Sequence, residues 1–290
     1  MANIFSFLAF LSLSMVLVSG VGNLFPPAWI GKAELPAILL QIILAYHLLS
    51  NKPLPLLKDG EKFPRRTLLL CVALLFVLFT LRFQPLPAVL SFWRDACTSA
   101  TLLLLGTVLG AWLIKGLQRP TELVPVCLVM ACTDLLSVFA GPTGRLMQDV
   151  SDFYRTGAGG PPPLGDFFLV KFALPGGFHL TPVFGISDWI MVAFLSAAAR
   201  RFNLEDNLLP SRSVHIPLAL AGLLLAVSLA RAFGWLLPAL PLVSLVFLTG
   251  ISLRQSQLWH LSQREWRLVC SIGGIVLSLS LWLWFSGQLI

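Results

Sequence analysis

Nine apolar runs, each roughly 16 to 20 residues long and separated by mostly short polar connections, constrain this chain more than any other feature. They are Ile4–Ser19, Leu35–Ser50, Thr67–Arg82, Cys97–Lys115, Leu123–Ala140, Thr181–Arg201, Val214–Phe233, Trp235–Leu253 and Leu268–Gly287. Hydrocarbon offers no water to a free N–H or C=O. A run that crosses it must therefore satisfy its own backbone, which a helix of about 20 residues does. The pattern predicts an all-α polytopic membrane protein with about nine transmembrane helices. With 57% of its 290 residues apolar and 11% charged, the chain has no hydrophilic stretch long enough for a separate soluble domain. The first run lacks a basic leader and reads as a span, not a cleaved signal.

The net charge, 20 − 13 = +7, would suit nucleic acid in another setting. Here the basic residues sit mostly in short loops and read as topology signals and headgroup contacts, so the expected partner is the lipid bilayer and no nucleic acid. Thirteen of the 20 fall after the second, fourth, sixth and eighth runs, and seven on the opposite side. The positive-inside rule then places the N-terminus in the cytoplasm and the Gly141–Leu180 connection outside. The five cysteines (Cys71, Cys97, Cys127, Cys132, Cys270) form no CxxC pair, and the four histidines form no HExxH. The cysteines read as packing residues, and no metal or organic cofactor is expected.

Punctuation marks three further places. Phe83–Ser99 carries two prolines and the Trp93-Arg94-Asp95 cluster, and reads as interfacial or re-entrant, with Asp95 paired to Arg94. The Gly141–Leu180 connection holds GAGGPPPLGD and then DFFLVKFALPGGF, an apolar piece too short to span; it reads as a gate, an edge strand or a surface linker, with Asp149, Asp152 and Asp166 solvated. Pro238 and Pro241 break the first turns of the eighth run. Trp282-Leu283-Trp284-Phe285 reads as an aromatic interface belt.

Two runs carry a carboxylate, Asp134 in Leu123–Ala140 and Asp188 in Thr181–Arg201. A charged Asp inside a bilayer costs several kcal/mol unless it faces a cavity or a partner. Two aspartates sharing one site titrate as a pair, one protonated and one charged. Such a pair can hydrolyse an amide: the charged member takes a proton from water and the neutral member gives one to the carbonyl oxygen. Two intramembrane carboxylates also suit a cation- or proton-coupled transporter, and taken alone they favour a transporter or channel over a protease.

Three segments shift that balance through a resemblance. Thr133-Asp134-Leu135-Leu136-Ser137-Val138, followed by Gly141-Pro142-Thr143-Gly144-Arg145-Leu146-Met147, resembles the presenilin segment in which a Tyr-Asp pair precedes a Gly-Pro turn and an Arg-Met pair. Phe184-Gly185-Ile186-Ser187-Asp188 is similar to the Gly-x-Gly-Asp motif of the presenilin and signal peptide peptidase family. Pro238-Ala239-Leu240-Pro241 resembles its Pro-Ala-Leu signature. Thr133 stands in place of the family's Tyr, and Ser187 in place of its second Gly.

The resemblance implies a prokaryotic intramembrane aspartyl protease with a presenilin-like core. Asp134 and Asp188 would be catalytic. Gly185, Ser187, Pro238, Ala239, Leu240 and Pro241 would meet the substrate, a transmembrane peptide or signal-peptide remnant. It implies scaffold helices over residues 1–120, a catalytic region over 121–254 and an extra helix over 255–290. The backbone before Gly185 and near Pro238 would pair with an unwound substrate as an added strand. A catalytically inactive relative that binds membrane helices is the other protein this resemblance admits.

Overall fold

In a computed structural model of the chain, the residues described are 2–22, 26–51, 65–84, 86–139, 142–156, 162–177, 179–209, 215–234, 237–255 and scattered positions from 262 to 278. They form two compact units: Met1–Trp112 with Gly159–Ile190, and Leu113–Ala158 with Met191–Ile290.

The first unit contains α1 (Ala2–Val21), α2 (Pro27–Asn51), α3 (Arg65–Leu81), nearly all of α4 (Ala88–Leu113) and an antiparallel hairpin of β1 (Leu169–Ala173) and β2 (Leu180–Gly185). The hairpin pairs Leu169 with Gly185 and Ala173 with Leu180, with an irregularity between Val170 and Lys171. Thr181, Val183 and Phe184 favour a pleated surface, and Pro182 disfavours a helix interior, so helix α7 begins only at Ile186. Strand β1 is buried along its whole length and packs on α1 and α2. Its outer edge is occupied by side chains. The Lys171 N–H donates to Ser99 Oγ at 2.9 Å, and the Gln41 amide donates to Ala173 O at 2.9 Å while accepting the Ala173 N–H at 3.3 Å. The end of α1 holds the hairpin turn: Ser19 O accepts the Gly176 N–H at 3.2 Å, and the Ser19 hydroxyl donates to Gly177 O. Gly22 lies so close to Pro175 and Gly176 that no side chain fits there, and Gly176 has φ +79°, a conformation that favours glycine.

The second unit contains α5 (Leu123–Phe139), α6 (Pro142–Thr156), the greater part of α7 (Ile186–Arg201), α8 (Leu218–Phe233) and α9 (Ala239–Arg254). Helix α9 packs on α5 and α8. Gly222 lets α8 approach α9 closely, since a Cβ there would lie 2.7 Å from Val243 Cα. Helix α8 is followed by Gly234 at φ +66°, the left-handed residue that commonly ends a helix. The connection from α7 to α8 is fastened from α9: the Arg254 guanidinium donates to the carbonyls of Glu205, Asn207 and Leu208. Within it, the buried Asp206 carboxylate lies 3.5 Å from His215. Burial pushes the Asp206 carboxyl above the usual carboxylate range, and His215, Arg200 and Arg254 oppose that rise.

The mostly helical architecture agrees with the sequence, and the span count does not. Among the described residues, three helices are long and apolar enough to cross a membrane: Trp29–Ser50, Ala88–Gly116 and Pro120–Val138. Four shorter apolar helices accompany them, Ser6–Val21, Arg66–Leu81, Leu218–Phe233 and Ala239–Arg254. Proline and strand account for part of the difference. The run Thr181–Arg201 spends its first five residues in β2, and Pro238 moves the start of the eighth run to Ala239. Trp93, Arg94 and Asp95 lie inside α4, and the expected Arg94–Asp95 pair is present at 2.9 Å. The Gly141–Leu180 connection holds helix α6 and strand β1, the latter within the short apolar piece that left an edge strand open as one reading. Asp149 and Asp152 are exposed on α6, but Asp166 is 1% exposed and ion-paired. The Trp282–Phe285 belt, most of the Asn51–Arg66 loop and most of the ninth run fall outside the described residues.

Candidate active site

Asp188 sits in the first turn of α7, three residues after Gly185, the last residue of β2. Its Oδ2 accepts the Gly185 N–H at 3.0 Å, the geometry by which a third-position acid reaches back to the residue that precedes a helix. A negative charge there is also favoured by the helix dipole. The residues flanking this turn are pinned. Trp189 is 1% exposed, and its indole N–H donates to Thr107 Oγ1 at 3.0 Å. Phe184 stacks on it with ring centroids 6.1 Å apart, and Tyr46 meets it edge-on at 6.4 Å. Gly106 makes room for the indole, because a Cβ there would lie 2.9 Å from Trp189 Cδ1. Gly185 is similarly close to the carboxylate: a Cβ at 185 would lie 3.3 Å from Ser187 Oγ and 3.6 Å from Asp188 Oδ2.

Asp134 lies on α5, partly buried, and its Oδ2 accepts the Leu240 N–H at 3.1 Å. The reason lies in the sequence of the α9 start. The first N–H groups of a helix have no partner within it. Pro238 and Pro241 carry no N–H, so Ala239 and Leu240 hold the donors between them, and no side chain of the preceding residue caps the helix. A carboxylate from α5 meets the Leu240 donor and also complements the dipole. Thr133, beside the Asp, donates its hydroxyl to Val129 O at 2.7 Å within its own helix. At the C-terminal end of α5, one turn beyond Asp134, Ser137 and Thr143 share a hydroxyl–hydroxyl contact of 2.5 Å that ties α5 to the start of α6.

The residues singled out in the sequence thus fall into two groups. Asp134 is joined to Leu240, within the stretch Pro238, Ala239, Leu240 and Pro241, in the second unit. Gly185 and Ser187 adjoin Asp188 in the first. Sequence reasoning did not anticipate Leu240 as a donor, although two prolines three apart bracketing an uncapped helix start are the signal for it. Nor did it anticipate Trp189, whose anchor on Gly106 and Thr107 is more than 80 residues away and leaves no local pattern. Among the described residues no three of His, Cys, Asp and Glu come together as a metal-ligand set. Comparison with known proteins returns no match: no family model, curated protein or solved structure matches the chain.

Proposed function

We propose that this chain is a presenilin-type intramembrane aspartyl protease in which Asp134 and Asp188 form the catalytic pair. The single observation that carries the reading is the hydrogen bond from Leu240 N–H to Asp134 Oδ2. It joins two of the three segments that the resemblance links, although they are 106 residues apart. The capped position of Asp188 beside Gly185 adds support, since it holds a carboxylate at the end of a strand.

In the reaction, the two carboxylates share one proton and one water. The ionised member takes a proton from the water as its oxygen attacks the amide carbon. The protonated member gives its proton to the carbonyl oxygen, producing a gem-diol. Collapse of the gem-diol breaks the C–N bond, and the departing nitrogen receives a proton from the pair. One diol hydroxyl returns its proton to the ionised member, so the products are a carboxylic acid and an amine, which become a carboxylate and an ammonium in water.

A membrane helix must be unwound before its amides can be attacked, and its freed backbone groups then need partners. The β hairpin is suited to supply them. Ser99 and Gln41 occupy the outer edge of β1, so an added strand belongs on the outer edge of β2. The substrate class is single-span segments or signal-peptide remnants. The proposed setting is a bacterial inner membrane with the N-terminus cytoplasmic.

The test uses the purified full-length chain in liposomes with a fluorescent single-span peptide. Asp134→Asn and Asp188→Asn should each suppress peptide cleavage while the helical content is retained. Undiminished cleavage in either variant overturns the assignment. Cation or proton flux with no peptide products would select the transporter instead.

A further inference from the structure

A second polar constellation lies wholly within the first unit and has no part in the proposed hydrolysis. Five charged side chains form a chain of ion pairs. Arg82 meets Asp166 at 3.4 Å, Asp166 meets Lys171 at 2.6 Å, Lys171 meets Asp95 at 3.8 Å, and Asp95 meets Arg94 at 2.9 Å. Three of the five side chains are more than nine-tenths buried: Arg82 at 5% exposure, Lys171 at 8% and Asp166 at 1%. All five line one cleft of about 20 Å³, with Ser99 and Thr98 beside them.

The order of charges matters. It runs cation, anion, cation, anion, cation, so both ends are guanidinium groups and the cluster carries 3 − 2 = +1. A guanidinium has five N–H donors in a rigid fork. Arg94 turns Nε and Nη2 toward Asp95, and its Nη1 has no partner among the described residues. Arg82 places Nη2 alone on Pro162 O, Pro163 O and Asp166, leaving Nε and Nη1 without partners among the described residues. The Ser99 hydroxyl accepts the Lys171 N–H, and its own proton meets no acceptor among the described residues. A buried excess of positive charge is costly unless an anion completes it. Forked donors from two arginines suit the oxygens of a phosphate group best.

We propose that this cleft binds one phosphate-class anion, with Arg94 and Arg82 donating to its oxygens and Ser99 as a neutral donor. The cleft has room for one or two oxygens of such a group, and the remainder of the molecule stays outside. A lipid phosphodiester and free inorganic phosphate present the same chemistry, and the experiment separates them.

The full-length chain in dodecyl maltoside is titrated at constant ionic strength with sodium phosphate, and separately with dihexanoylphosphatidylglycerol, following its thermal unfolding. Saturable stabilisation by both identifies a general phosphate site; stabilisation by the lipid alone identifies a headgroup site. Arg94→Gln should weaken binding by about tenfold, the loss of a charge-assisted hydrogen bond. Asp95→Asn should tighten it, because it removes the carboxylate that competes for Arg94. Saturable stabilisation by neither probe overturns the proposal. So does unchanged affinity in Arg94→Gln or weaker affinity in Asp95→Asn. Because Asp95→Asn tests the opposite sign, the proposal stays open to refutation even if Arg94→Gln does not fold, and neither variant touches the proposed catalytic pair.

Discussion

The starts of helices α7 and α9 make an instructive pair. Each has an N–H group bonded to an aspartate, yet the two aspartates arrive by different routes. Asp188 is only three residues beyond Gly185, so the chain's own turn places it. Asp134 reaches Leu240 from another helix, and its hydrogen bond exists only because α5 and α9 are packed together. The local bond requires one turn to form, and the remote bond requires the second unit to be assembled. A change at Asp134 should therefore be felt in tertiary packing, and a change at Asp188 mainly at the strand-to-helix corner.

The largest expected effect treats the two alike. Asp134→Asn and Asp188→Asn keep an acceptor oxygen but lose the ionisable group, so each should lower peptide cleavage by about 10²- to 10⁴-fold with the fold retained. If one variant cleaves normally, the pair is not a pair. The alanine variants should then separate the two sites. Asp134→Ala leaves the Leu240 N–H unpaired and should cost about 1–3 kcal/mol, with faster amide exchange at Leu240 and through the first turn of α9. Asp188→Ala should cost about 0.5–2 kcal/mol, with exchange changes confined to Gly185 and its neighbours. Equal spread of the exchange changes in both variants would erase the distinction between local and remote support.

A smaller effect probes the corner alone. In Gly185→Ala the new Cβ would press on Ser187 Oγ and Asp188 Oδ2 at 3.3 and 3.6 Å. Cleavage should fall by about tenfold, or 1.4 kcal/mol in the barrier, while the unfolding midpoint barely moves. An equal loss in both would mean that the glycine serves packing and not the carboxylate.

The smallest effect belongs to the second unit's connection. Burial raises the Asp206 carboxyl above its ordinary range, so the folded state holds that proton more tightly than the unfolded chain. Stability should accordingly fall as pH rises from the ordinary carboxylate range through the raised one, and should recover on acidification. Asp206→Asn should flatten that part of the unfolding-versus-pH curve; an unchanged slope would assign the dependence to another group.

Much of this was legible in the sequence where the information is local. Helix-length apolar runs gave most of the helices, and the order of three short motifs directed attention to Asp134, Asp188 and the Pro238–Pro241 stretch. The Arg94–Asp95 pair followed from adjacency. What escaped was set by distance or by competition between signals. An apolar run reads the same whether its first residues are strand or helix, so Thr181–Gly185 was absorbed into a span. Asp166 sat in a proline-rich connection that suggested solvent, yet Arg82, 84 residues earlier, and Lys171 draw it inside. Polar and charged residues of Pro142–Thr156 hid an amphipathic helix within a presumed loop.

The central claim is that water, activated by Asp134 and Asp188, cuts a peptide bond within an apolar segment. Its most direct test is mass spectrometry of a single-span peptide incubated with the reconstituted protein in ¹⁸O-labelled water. The expected result is a cut inside the apolar stretch, one ¹⁸O atom in the new carboxyl terminus at the moment of cleavage, and product formation by either Asn variant lowered by about a hundredfold or more. An intact peptide after prolonged incubation with the folded wild-type protein, or labelled products undiminished in Asp134→Asn or Asp188→Asn, would contradict it.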